Sequence, residues 1–191
     1  DIPQVTAALS YCQEATSTPL SASGTSLKWY NTALGANGEA IAPTPSTISS
    51  GLFSYFVSQT IGGCESERAK IDVTINPKPA APSVTNAEYC LGQNAGQLSA
   101  NGSNLKWYGS SVGGTGDFNA PIPATTSAGL LNYFVSQTIN SCESNRSQLT
   151  VNVKIKPDKP QTTNGLSYCL GQTAFPLSTN GINLQWYPAL T

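Results

Sequence analysis

Ser54 to Arg68 reads SYFVSQTIGGCESER, and Asn132 to Arg146 reads NYFVSQTINSCESNR, the same stretch displaced by 78 positions (132 − 54). A displacement of this kind marks a repeat architecture. On both sides of this stretch the offset holds without a gap. Tyr11-Cys12 returns as Tyr89-Cys90, Leu27-Lys28-Trp29-Tyr30 as Leu105-Lys106-Trp107-Tyr108, and Pro79 and Pro82 as Pro157 and Pro160. A third copy opens at Tyr168-Cys169, displaced by one position more, and reaches Leu184-Gln185-Trp186-Tyr187. The expected organisation is a first unit over residues 1–77, a second over 80–156, and the opening part of a third over 159–191. Ile75 to Thr85 and Val153 to Thr163 join them, and their prolines fix φ and favour extended, semi-rigid spacers.

Inside a unit the apolar pattern has period two. Arg68 to Ile75 places Ala69, Ile71, Val73 and Ile75 on one face and Arg68, Lys70, Asp72 and Thr74 on the other, which predicts a half-buried strand. Arg146 to Val153 repeats it with Leu149, Val151 and Val153 inward. Ser54 to Thr60 predicts the preceding strand, with Tyr55 and Val57 inward; in the second unit these are Tyr133 and Val135. Further strands are expected at Leu27 to Tyr30, Pro19 to Ala22 and Pro3 to Thr6, with one or two between Ala40 and Ile48. No window carries helical periodicity. Six or seven short strands in under about 80 residues predict an all-β fold, tandem immunoglobulin-like antiparallel β-sandwiches.

Composition bounds the function. Of 191 residues, nine are Lys or Arg and ten Asp or Glu, and there is no His. A net charge of −1 offers no basic stripe for releasing counterions from nucleic acid, and the lack of imidazole removes triad catalysis and His-ligated metals. No apolar run reaches the ~20 residues of a membrane span. Carboxylate pairs are not part of the repeated design, since Glu67 becomes Asn145 and Asp72 becomes Thr150. No catalytic residue, metal ligand or cofactor site is expected, and no enzyme.

Cys12 and Cys64 are 52 positions apart (64 − 12), and so are Cys90 and Cys142 (142 − 90). Of the three pairings open to four cysteines, repeat symmetry predicts Cys12 with Cys64 and Cys90 with Cys142, one disulfide per complete repeat, stapling one end of each sandwich. Cys169 is then unpaired, its partner falling beyond Thr191. Disulfides persist in oxidising compartments, so an exported, extracellular or cell-surface protein is expected; no signal peptide precedes Asp1, as in a mature fragment. Glu65 with Arg68, and Glu143 with Arg146, recur as expected local ion pairs. Alternation turns Trp29 and Trp107 inward and Tyr30 and Tyr108 outward, so Tyr30, Tyr108 and Tyr187 are the weak candidates for contact with a ligand such as a sugar ring.

The order Tyr-Cys, Leu-Lys-Trp-Tyr, Gly-x-x-x-Tyr-Phe-Val-Ser-Gln-Thr, Cys-Glu-Ser-x-Arg and a closing Pro-x-x-Pro resembles the immunoglobulin-like repeats of giant secreted surface proteins of Bacteroidota, mobile gliding adhesins among them. The resemblance implies stalk or spacer repeats of a large surface adhesin, exported by the type IX secretion system. Its partners would be neighbouring repeats of the same long chain and cell-surface or polysaccharide contacts, with no nucleic acid and no membrane insertion. Two other functions fit the same residues: carbohydrate-binding modules, and spacers in a secreted polysaccharide-degrading enzyme whose catalytic domain lies elsewhere.

Overall fold

In the computed structural model, which describes residues 1–6, 8–162 and 166–188, all regular structure is β. The first unit contains β1 (Gln4–Val5), β2 (Ala8–Cys12), β3 (Ala22–Ser23), β4 (Lys28–Tyr30), β5 (Gly51–Ser58), β6 (Thr60–Ile61), β7 (Cys64–Glu65) and β8 (Ala69–Asn76). The second repeats them as β9 (Ser83–Val84), β10 (Ala87–Cys90), β11 (Ala100–Asn101), β12 (Lys106–Tyr108), β13 (Gly129–Ser136), β14 (Thr138–Ile139), β15 (Cys142–Glu143) and β16 (Ser147–Lys154).

Each unit is built on a four-stranded sheet, ordered β2-β8-β5-β4 and β10-β16-β13-β12. The central pair is antiparallel, with Gly51 opposite Ile75 and Val57 opposite Ala69. The edge strand β2 runs parallel to β8, with Ala8 opposite Asp72 and Cys12 opposite Asn76, and β10 does the same beside β16. One pair per unit therefore departs from an all-antiparallel sheet. Against this sheet lies a smaller layer, β1 paired with β3, or β9 with β11.

The expected alternation on β8 is observed: Ala69, Ile71, Val73 and Ile75 are buried. They form the core with Leu20, Trp29 and Val57, and Val5, Leu9, Ala22, Leu27, Ala42 and Tyr55 pack around them. Leu98, Trp107, Val135, Leu149, Val151 and Val153 make the second core. No strand forms between Ala40 and Ile48. Pro43 and Pro45 have no N–H to give to a ladder, and the segment is held instead by its carbonyls. Pro43 O accepts from Leu20 N at 2.9 Å and Pro45 O from Ser17 Oγ at 2.5 Å.

In the third copy the described residues form one isolated bridge, Thr162 to Thr179, and no named strand. Leu177 is 64% and Trp186 53% exposed, where their counterparts Leu98 and Trp107 are buried. The segment lacks the residues that correspond to β5 and β8, which supply most of the core in a complete unit. Residues 163–165 and 189–191 of the expected third unit lie outside the described residues.

Candidate functional site

Two constellations are built from repeated residues, and the first is complete in both units. In the first, β4 presents Tyr30 beside β7 and the start of β8. The Tyr30 hydroxyl donates to Glu65 Oε1, and Ser58 Oγ donates to the same oxygen at 2.6 Å. The Arg68 guanidinium lies 3.3 Å from the Tyr30 ring centroid. It also donates to Thr32 O at 2.8 Å and Gly35 O at 2.9 Å, closing the loop after β4 over the ring. Gly38 approaches so closely that a Cβ there would stand 2.6 Å from Tyr30 Cζ. The second unit reproduces the set: Tyr108 and Ser136 donate to Glu143 Oε1 at 2.5 and 2.6 Å, and Arg146 lies 3.3 Å from the Tyr108 centroid.

This geometry corrects two expectations. Tyr30 and Tyr108 are buried, each only 6% exposed, because Arg68 or Arg146 and the following loop cover the outer face of the sheet there. Their hydroxyls are committed to Glu65 and Glu143, so neither ring is free to stack on a ligand. Tyr187 is 80% exposed, in the segment without a sandwich. Nor does Arg68 pair directly with Glu65; the tyrosine ring takes the guanidinium, and the cation nearest to Glu65 is Lys28, at 3.7 Å. Alternation could show which side of the strand a tyrosine leaves, but not that an arginine 38 positions later (68 − 30) would close over it.

The serine hydroxyl first, and then the tyrosine hydroxyl, hold the Glu65 and Glu143 carboxyls below their ordinary value. The Ser54 hydroxyl does the same for Asp72, and the Lys154 ammonium for Glu88. Hydrogen bonds to the charged form keep these acids ionised, the reverse of what a proton-donating carboxyl needs. Among the described residues no cluster of three or more Asp, Glu or Cys has metal-ligand geometry, and no helix is long and apolar enough to cross a membrane. An open depression of about 610 Å³ lies beside Tyr30, lined also by Trp29, Glu39, Ile41, Pro43 and Tyr55 among others.

The second constellation is the junction between units. Cys12 is disulfide-bonded to Cys142, with the two Cα atoms 5.5 Å apart, while Cys64, Cys90 and Cys169 are free thiols. The expected pairs Cys12–Cys64 and Cys90–Cys142 do not form. Cys12 ends β2 opposite Asn76, the last residue of β8, whereas Cys64 follows the turn after β6 and precedes Ala69, the first. The length of β8, on the order of 20 Å at ~3.3 Å per residue, therefore separates the two. A disulfide needs Cα atoms within about 7 Å.

Each unit thus carries its first cysteine where the chain leaves and its second where the chain enters. Gln59 Nε2 donates to Asp1 O, and Gln137 Nε2 to Ala80 O, both at 2.8 Å, tying each entering segment to the hairpin that bears the second cysteine. That hairpin turns through two residues of positive φ, Gly62-Gly63 or Asn140-Ser141, and the cysteine follows at once. At the exit of the first unit Gln13 N donates to Asn76 O at 2.8 Å, and Lys78 pairs with Glu14 at 2.7 Å, docking the linker beside Cys12.

Distant likenesses exist among solved structures. The human mucin-like protocadherin EC1-2 is 12% identical, covering 82% of this chain and 98% of its own, with a TM-score of 0.28. The tandem Ig repeats of Dlar are 11% identical with the same coverages and a TM-score of 0.30. The Sidekick-1 immunoglobulin domains 1–5 are 11% identical over 85% of this chain and 40% of theirs, with a TM-score of 0.27. A comparison with curated proteins gives no significant match. The family described as "Ig-like domain CHU_C associated" matches residues 1–77 and again 79–154. With both units matched, the chain belongs to that Ig-like family.

Proposed function

We propose that residues 1–77 and 80–156, with 159–191 as the opening part of a third unit, are non-catalytic stalk repeats of a large extracellular surface protein of the adhesin type. The Bacteroidota gliding adhesins exported by type IX secretion are the proteins they resemble. The observation that carries this reading is the Cys12–Cys142 bond, which joins the exit end of one sandwich to the entry end of the next. A bond placed there stiffens the link between units, and neither of its cysteines belongs to the apolar core cluster of its own unit. Such a bond suits an oxidising compartment and a part whose work is to hold distance. A carbohydrate-binding role for Tyr30 and Tyr108 is not supported, because both rings are covered.

Small-angle scattering of the 191-residue chain tests the proposal. Two sandwiches joined end to end give an elongated profile, on the order of 80 Å for units of six- to eight-residue strands with loops and linker. A globular profile, with the sandwiches side by side, would overturn it.

A further inference from the structure

Cys90 is the counterpart of Cys12 and Cys64 the counterpart of Cys142, each displaced by one repeat offset (90 − 12 equals 142 − 64). The local settings are also equivalent. Cys90 closes β10 opposite Lys154, the last residue of β16, as Cys12 closes β2 opposite Asn76. Cys64 opens β7 after a turn of two positive-φ residues, as Cys142 opens β15. Both thiols are exposed, whereas bonded Cys142 is buried. Within the second unit Cys90 and Cys142 stand at opposite ends of β16, so neither free thiol has a partner in its own unit.

We propose that Cys64 and Cys90 are the two halves of the same junction, each a docking and cross-linking site for a further repeat of this type. Cys90 takes the second cysteine of a following unit, and Cys64 takes the first cysteine of a preceding one. Cys169, the first cysteine of the third copy, takes the second cysteine of a unit further on. The inference concerns how the repeats are wired and holds for a stalk or for a spacer in an enzyme alike.

Closure is a thiol–disulfide exchange with a disulfide oxidant, an oxidoreductase or an oxidised small thiol. The Cys90 thiolate attacks one oxidant sulfur and expels the other as a thiolate. The partner thiolate then attacks Cys90 Sγ in the mixed disulfide and expels the second oxidant sulfur. Two thiols are oxidised, one disulfide of the oxidant is reduced to two thiols, and the protons pass to the leaving sulfurs.

Repeated along an array, the pattern gives two covalent rails. One runs through Cys12, Cys142 and Cys169, the other through Cys64 and Cys90. Between bridges the rails follow the chain only from Cys142 to Cys169 and from Cys64 to Cys90, each a short linker-bearing stretch.

The test inserts a copy of residues 79–156 after Lys156, which preserves the repeat offset, and oxidises the purified chain with oxidised glutathione. Cysteine alkylation and non-reducing peptide mapping follow. The expected result is Cys90 linked to the second cysteine of the inserted copy and protected from alkylation as fully as Cys12, with Cys12–Cys142 retained. Cys90 alkylated while Cys12–Cys142 is intact, or Cys90 linked to Cys142, would overturn the proposal. A copy of residues 1–78 fused ahead of Asp1 asks the same of Cys64, with the copy's first cysteine as the expected partner and an alkylated Cys64 as the contrary result. Failure of one lengthened chain to fold therefore leaves the other to decide.

Discussion

Arg68 covers Tyr30, its guanidinium carbon 3.3 Å from the ring centroid, and Arg146 covers Tyr108 at the same distance. Because each arginine also donates to two loop carbonyls, it joins β8 or β16 to the loop after β4 or β12 through the ring between them. Lysine keeps the charge but has no planar fork to stack and to donate twice. Arg68→Ala and Arg146→Ala should each lower the stability of their unit by about 1–3 kcal/mol, and Arg→Lys should recover less than half of that. Denaturant titration of the single variants measures it. Equal stabilities for the Lys variants and the parent would show that charge alone accounts for the contact.

Trp29 and Trp107 are each 4% exposed and Trp186 is 53% exposed. Acrylamide should therefore quench one tryptophan of the three readily, and Trp186→Phe should remove that component. Trp29→Ala or Trp107→Ala should cost about 3–5 kcal/mol, as large-to-small changes at filled core sites do. Persistent strong quenching in Trp186→Phe would contradict the burial of the other two.

Glu65, Asp72, Glu88 and Glu143 all have carboxyls held below their ordinary values of 4.5 for Glu and 3.8 for Asp. A group whose folded-state pKa is depressed contributes stability that is fully present above its unfolded value and lost as pH falls through the folded one. The denaturation midpoint should accordingly be flat with respect to these four acids above about pH 5 and fall as pH drops below the ordinary carboxylate range. Ser136→Ala removes the leading cause at Glu143 and should weaken that acid dependence. An unchanged slope from about pH 2 to about pH 5 would count against the hydrogen bond.

The Cys12–Cys142 bond encloses a sequence separation of 130 residues. In the chain-entropy account, closing such a loop stabilises the folded chain by about 5 kcal/mol. It also shields that segment from extension. In single-molecule pulling from the two ends, reduction should lengthen the fully unfolded chain by about 450 Å, at a residue span of ~3.5 Å. Cys12→Ser should give the reduced length without reductant. A gain of only about 180 Å, at the same residue span, would instead mark the shorter loop of a within-unit pair such as Cys12–Cys64.

The tandem organisation, the proline-bearing linker and most of the core were legible in the sequence. A constant repeat offset and period-two alternation are local properties, and Ile71, Val73, Ile75, Leu149, Val151 and Val153 went where alternation sends them. Features that depend on distant parts of the chain were not legible. The side from which Tyr30 leaves its strand follows from alternation, but what covers that side depends on a residue brought back by the sheet, and Arg68 covers it. The parallel edge pairing of β2 with β8 likewise joins segments some 64 positions apart (72 − 8), with no local signal of direction.

The cysteines mark the boundary between the two kinds of information. Alone, the sequence determined that both complete units carry two cysteines at equivalent places, so that any pairing shared by the units must follow the repeat offset. Translational symmetry fixes a partner only up to a whole number of units, so separations of 52 and of 130 (52 + 78) satisfy it equally. Tertiary structure decided between them. The parallel β2 carries Cys12 to the exit end of the sheet and the turn after β6 holds Cys64 at the entry end. A bond that spans only a few ångströms then closes across the junction, where the end of one sandwich meets the beginning of the next.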